Sequence, residues 1–228
     1  MFLLFFFFHL LIRLILGFSN ISKLPAKYIS YNKVKKVLLE IYDIKKNRSN
    51  YSIEHVVPQS NFKFDKQLKC DMHNLFYYPY KINWHRSNYK YTSDVKFYKD
   101  SLLLDDNGNE IKYSSSIKSK TDDICIKTPT KKIFLPPVKY RGKIARSSMY
   151  FLATYPEYEN IIFRKVINPY TILNWHHLYP VTEFEKYKNE KILEHQENNN
   201  IFVTDPQSLV SYMEDILKTN LNYYRKDS

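Results

Sequence analysis

Tyr51-Ser52-Ile53-Glu54-His55-Val56-Val57-Pro58-Gln59-Ser60 is the stretch that decides the fold. It is short, β-branched and closed by Pro58, so it predicts a strand over Tyr51 to Val57. Asn61 to Lys69 follows as a polar, basic loop. Asp71 to Tyr80 predicts a second strand ending near Pro79. Lys81-Ile82-Asn83-Trp84-His85-Arg86-Ser87-Asn88 has no strand pattern and opens a helix. Strand, loop, strand and helix therefore follow one another between Tyr51 and Asn88. Glu54 and His55 are neighbours on the first strand, and such neighbours point to opposite faces. For both to serve one site, the strand must end, bulge or twist there.

Before this stretch, Val34, Val37, Leu38 and Ile41 give helical spacing within Tyr28 to Ile44. After it, Leu102 to Tyr113 predicts a hairpin turning at Asn107-Gly108. Ile133 to Leu135 predicts a strand stopped by Pro136-Pro137. Gly142 to Tyr155 predicts a half-buried helix through Ile144, Met149, Phe151 and Leu152. Further helices are predicted over Thr171 to Leu178 and Thr182 to His195. A last one runs from an Asp205 cap and Pro206 to about Tyr223. There is no internal repeat and no long linker. Residues 20–204 read as one α+β domain, with 205–228 as a C-terminal helical extension.

The chain has 228 residues, of which 44% are hydrophobic, enough for a core and against wholesale disorder. Lys and Arg number 35 against 23 Asp and Glu, a net charge of +12. Such a surplus favours a polyanionic partner, either nucleic acid or an acidic membrane face. Only 3 glycines exclude a glycine-rich phosphate loop. Met1 to Leu16 is apolar apart from His9 and Arg13. It is short for a membrane span, which takes about 20 residues, and suits a signal peptide over residues 1–19 or an uncleaved anchor. The expected location is secreted, periplasmic or the secretory-pathway lumen, or the membrane if the leader is retained. Cys70 and Cys125 allow one disulfide or two buried thiols.

Cutting a phosphodiester needs a base for water, positive charge at the phosphate and a basic surface for the strand. Histidine is the natural base near neutral pH. A hard ion such as Mg²⁺ keeps several waters, so one carboxylate and one amide oxygen can hold it. Glu54, His55 and Asn83 supply these groups. Taken singly, each has a plainer reading: a packed strand histidine, a solvated glutamate, a helix-capping asparagine. His73 reads as a packed histidine, and of His176-His177 one should face the core and the other solvent. Trp175, Tyr179 and Phe184 read as core. The lysines from Lys118 to Lys132 read as a solvated loop.

The Glu54–Ser60, Asp71–Leu75 and Ile82–Asn88 runs resemble the endonuclease I family of periplasmic and secreted non-specific nucleases. Pro136 to Arg146, Trp175 to Ile192 and Gln196 to Phe202 resemble later blocks of the same family in the same order. The resemblance implies an α+β fold of helices and short antiparallel strands around a ββα-metal (His-Me finger) motif. It implies a metal-dependent endonuclease acting on DNA, with RNA as a second substrate; it implies nothing about a stable protein partner. His55 falls on the family's general base, Glu54 and Asn83 on its metal ligands, and Arg86 on a catalytic-motif position. Asn88, Arg141 and Arg146 are the nucleic-acid contacts it suggests. Mg²⁺ is the expected ion, with Ca²⁺ or Mn²⁺ as alternatives. Two departures stand out. The loop after His55 offers Lys63, Lys66 and Lys69 where family members often place an arginine. The family's Gln-Gly-Asn-Arg-Asn-Pro-Phe appears as Gln196-Glu197-Asn198-Asn199-Asn200-Ile201-Phe202. A basic nucleic-acid-binding protein without turnover, and a lipid-binding anchored protein, remain the rival readings.

Overall fold

The computed structural model describes residues 27, 29–44, 50–94, 97–112 and 122–224, with side chains to 218. The leader and its cleavage segment lie outside them. The predicted first helix is α1 (Tyr31–Ile41), and Val34, Val37, Leu38 and Ile41 are its buried face. Burying an aliphatic side chain contributes roughly 1.5–3 kcal/mol, so this face holds the helix in place. It packs on Cys70, Met72, Leu75 and Ile192, a small core of its own.

Strand β1 (Tyr51–His55) pairs antiparallel with β2 (Leu75–Pro79), and His55 lies opposite Leu75. Between them the structure departs from the predicted loop. Asp65 accepts hydrogen bonds from the amides of Gln67 and Leu68 and starts a short helix, α2 (Lys66–Cys70). Five residues are too few to show a helical hydrophobic period, so only the cap betrays it. Asp71 likewise caps a 3₁₀ turn over Met72–Asn74, which takes the first half of the predicted second strand. Helix α3 (Tyr80–Arg86) leaves β2 directly. The ββα unit predicted around Glu54 is thus present.

A second sheet has the order β3-β7-β6-β4-β5. Its strands are β3 (Lys90–Tyr91), β4 (Leu102–Leu104), β5 (Glu110–Ile111), β6 (Cys125–Thr128) and β7 (Ile133–Leu135). All its pairs are antiparallel except β3 with β7, which is parallel. The β4–β5 turn is held by Asp105, whose carboxylate accepts from the amides of Asn107 and Asn109. Gly108 has φ +84°, and a Cβ there would fall 2.6 Å from the amide nitrogen of Ile82. The hairpin tip therefore lies against the start of α3.

Helix α4 (Val138–Thr154) is buried on almost every side, more fully than its predicted amphipathic face requires. It packs along α5 (Pro169–Leu178), which Asn168 caps. Helix α6 (Glu183–Gln196) opens with a capping box between Thr182 and Glu185. The short α7 (Ile201–Thr204) and the long α8 (Gln207–Tyr224) follow. Leu209 and Met213 of α8 are fully buried in the main core, so the C-terminal helix completes that core. Trp175 is buried and His176 faces inward while His177 is exposed, but Phe184 lies at the surface against Tyr42. No helix among the described residues is long and apolar enough to cross a membrane. Cys70 and Cys125 are buried in separate cores and form no disulfide, so of the two options the buried thiols are the one present.

Candidate active site

β1 ends at His55, and the chain bends at Val56 and Val57. Arg86, the last residue of α3, reaches across to this bend. Its guanidinium donates to the carbonyl of His55 at 3.0 Å and that of Val56 at 2.7 Å. It pairs with the Glu54 carboxylate at 2.7 Å, both groups almost wholly buried. The Tyr91 ring lies 4.4 Å beneath the guanidinium, and the Tyr91 hydroxyl donates to Glu54 at 2.9 Å. One arginine thus fixes the strand end, the glutamate and the backbone of the histidine together. The sequence leaves Arg86 between an orienting and a catalytic role; at 1% exposed, with its guanidinium on Glu54 and two carbonyls, it is placed to orient. Burial raises the Glu54 carboxyl, and Arg86 and Tyr91 pull it back towards the charged form.

His55 lies on the other side of the strand end. Its Nε2 is 3.1 Å from the carbonyl oxygen of Lys69 on α2. A carbonyl only accepts, so Nε2 carries the proton and Nδ1 keeps the lone pair. The Gln59 amide donates to Nδ1 at 3.3 Å. Tyr31 of α1 stacks on the ring with centroids 6.2 Å apart, and Lys35 and Lys69 each sit over Tyr31. Burial lowers His55 to about 4; the Lys69 carbonyl opposes this, and the charges of Lys69 and Arg86 add to it. The ring is therefore neutral at neutral pH, a state in which it can accept a proton.

Asn83 of α3 donates its amide nitrogen to Ser52 Oγ at 2.9 Å and to the Ile53 carbonyl at 3.1 Å. The Ile53 carbonyl needs a donor, so the amide orientation is set. Asn83 and Arg86 stand three residues apart and share the face of α3 turned to β1. These bonds use the nitrogen half of the Asn83 amide, while Arg86 and Tyr91 both engage Oε1 of Glu54. A carboxylate has about four lone-pair sites, so coordination capacity remains. One carboxylate and one amide oxygen suit a hard, water-rich ion. No trio of His, Cys, Asp and Glu suited to a metal occurs among the described residues, as a site of this kind requires none.

A family model for Endonuclease I matches residues 22–207. The chain belongs to the endonuclease I family. It is a nuclease by family, its substrate is nucleic acid, and the family is generally metal-dependent. A search of curated proteins finds no match for it.

In this endonuclease, two of the expected nucleic-acid contacts are corrected. Arg146 is 1% exposed and forks onto Glu185 with two bonds of 2.8 Å, donating also to the Tyr179 carbonyl. Arg141 is buried against the Pro136 carbonyl and the Tyr179 hydroxyl. Both brace α4, Arg141 against Pro136 and the end of α5 and Arg146 against that end and Glu185 of α6. Asn88 stands exposed in the turn after α3. His73 is packed, its Nε2 on the Asn198 carbonyl. The divergent Gln196 to Phe202 segment is a buried latch. Gln196 accepts from the Met72 amide and donates to Asp71, and Asn198 donates to Tyr150. The buried contacts are made by Gln196, Asn198 and Asn200, which keep the family's residues, whereas the changed Glu197 is exposed and the changed Asn199 and Ile201 are half-buried.

Tyr31, Ser52, Gln59, Lys69 and Tyr91 are the site residues that sequence reasoning missed. Ser52 and Gln59 lie inside the deciding stretch. Lys69 acts through its carbonyl, which no side-chain pattern marks. Tyr91 is distant in sequence and reaches Glu54 only through the fold.

Proposed function

We propose that this endonuclease hydrolyses DNA, and RNA as a second substrate, with little sequence preference and with His55 as its general base. The observation that carries the reading is the His55 ring: Nε2 pinned on the Lys69 carbonyl, Nδ1 basic, and the backbone tied through Arg86 to Glu54. In this reading Nδ1 takes a proton from water as the water oxygen attacks phosphorus. The P–O3′ bond breaks, the leaving oxygen takes a proton from solvent water, and the products are a 3′ hydroxyl and a 5′ phosphate. Glu54 and Asn83 would hold a divalent ion, Mg²⁺ first with Ca²⁺ or Mn²⁺ as alternatives, which supplies positive charge for the phosphate and the leaving 3′ oxygen. Arg86 favours the charged form of Glu54 against burial and holds the carboxylate in place. Tyr91 and Ser52 set the angles of the glutamate and the asparagine. The lysines and the net charge of +12 attract the backbone, which carries no sequence information. The apolar leader suits action outside the cytosol.

The test is plasmid cleavage at low salt, with Mg²⁺ and with EDTA, beside a His55→Ala variant. Cutting should need the metal and fall by at least about 10²-fold in the variant. Equal cutting by His55→Ala would remove the general base. A plasmid shifted by the wild type but never cut would favour the binding protein without turnover.

A further inference from the structure

Helix α3 has a second, outward face. Trp84 is 64% exposed and Tyr80 is 54% exposed, four residues apart and so on one side of the helix. Trp84 directly follows Asn83, whose amide turns inward to β1. The Lys127 ammonium, from the middle of the second sheet, lies 5.6 Å from the Trp84 ring centroid and 5.0 Å from that of Tyr89. Lys81, also exposed, belongs to the same helix. A large indole left in solvent beside cations suits a ligand with both a π face and negative charge. A nucleotide has both. In a duplex, neighbouring pairs cover the faces of each base, whereas an unpaired base can lay its face on an aromatic ring.

We propose that Trp84, with Lys127 beside it, is a stacking platform for a base of an unpaired strand next to the cut phosphate. The endonuclease then favours single-stranded over duplex substrate. This rests on the nuclease reading, because the platform's value comes from its place beside Asn83.

The test separates the two. The His55→Ala protein, which binds without cutting, is titrated at low salt into a labelled single-stranded oligonucleotide and into a duplex of equal length. Only two tryptophans are present, and Trp175 is 1% exposed, so quenching of indole emission on binding reports Trp84. Single-strand binding should quench that emission. Trp84→Ala in the same background should lower single-strand affinity roughly 5- to 150-fold, the range of one base stack, and duplex affinity much less. Trp84→Phe should recover most of the loss. Absence of quenching, or an equal loss for both DNAs, overturns the platform and leaves the nuclease reading standing. A Trp84-dependent dimer in sedimentation overturns it as well, by giving the indole another purpose. Failure of the His55→Ala protein to bind either DNA overturns the nuclease reading itself.

Discussion

At the scale of the residue, Arg86 is the most constrained group in the site. Its positive charge meets the buried Glu54, and its fork satisfies two carbonyls at the end of β1. Arg86→Ala leaves Glu54 as an unpaired buried charge, for which the cost is about 3–5 kcal/mol. Arg86→Lys keeps the charge but cannot match the fork, so it should fall between wild type and alanine. Thermal melts followed by circular dichroism check this order. Equal melting temperatures for all three would show that the pair contributes nothing to the fold. The same geometry explains why Glu54 was legible as a candidate while the partners of Arg86 were not. A carboxylate beside a histidine is a local signal, but the partner's direction is set by the turn after α3.

At the scale of the element, two close approaches fix how α4 and α3 sit. A Cβ on Gly142 would fall 2.5 Å from the Tyr179 carbonyl, so Gly142 lets α4 approach the end of α5. Gly142→Ala should destabilise by about 1–3 kcal/mol, because the obstacle is backbone and cannot swing aside. Denaturant titration reads this directly, and an unchanged midpoint would mean that the two helices can separate freely. Helix α6 depends on its cap: Thr182→Ala should cost about 1 kcal/mol by the same measurement. Helices with clear periodicity or proline punctuation, such as α1 and α5, were readable from the chain. Helix α2 was not, because an Asp cap and five residues leave no period to detect.

At the scale of the whole molecule, burial of ionisable groups sets the pH response. Burial lowers His73 to about 3, so the folded protein holds it neutral where the unfolded chain, with an ordinary pKa of 6.5, is charged. The unfolded state then binds more protons, and stability falls as pH drops below 6.5. At pH 5 this group alone removes about 2 kcal/mol relative to pH 7. Lys188, lowered to about 7 by burial and by the charge of Lys143, acts in the same direction at higher pH. Between pH 7 and its ordinary 10.5, the folded state has shed a proton that the unfolded state keeps, so stability climbs. Unfolding midpoints at pH 5, 7 and 9 should therefore rise in that order. The buried carboxyls of Glu54 and Asp71, which burial raises, act in the opposite direction, so a flat or reversed series would mean that they outweigh His73 and Lys188.

By itself, the order of residues determined the ββα unit and most of the helices, and it singled out Glu54, His55 and Asn83 as candidates. Hydrophobic period, proline, capping residues and local motifs are short-range signals that survive without the fold. Tertiary structure alone decided which nitrogen of His55 is basic, because the Lys69 carbonyl comes from a separate helix. It decided that Arg141 and Arg146 are buried braces, since charge in a sequence does not tell whether a Glu185 waits across the core. It freed Cys70 and Cys125 of one another by placing them in different cores. It also left Trp84 in solvent beside Lys127, where an indole's surroundings depend on which strand lies next to its helix.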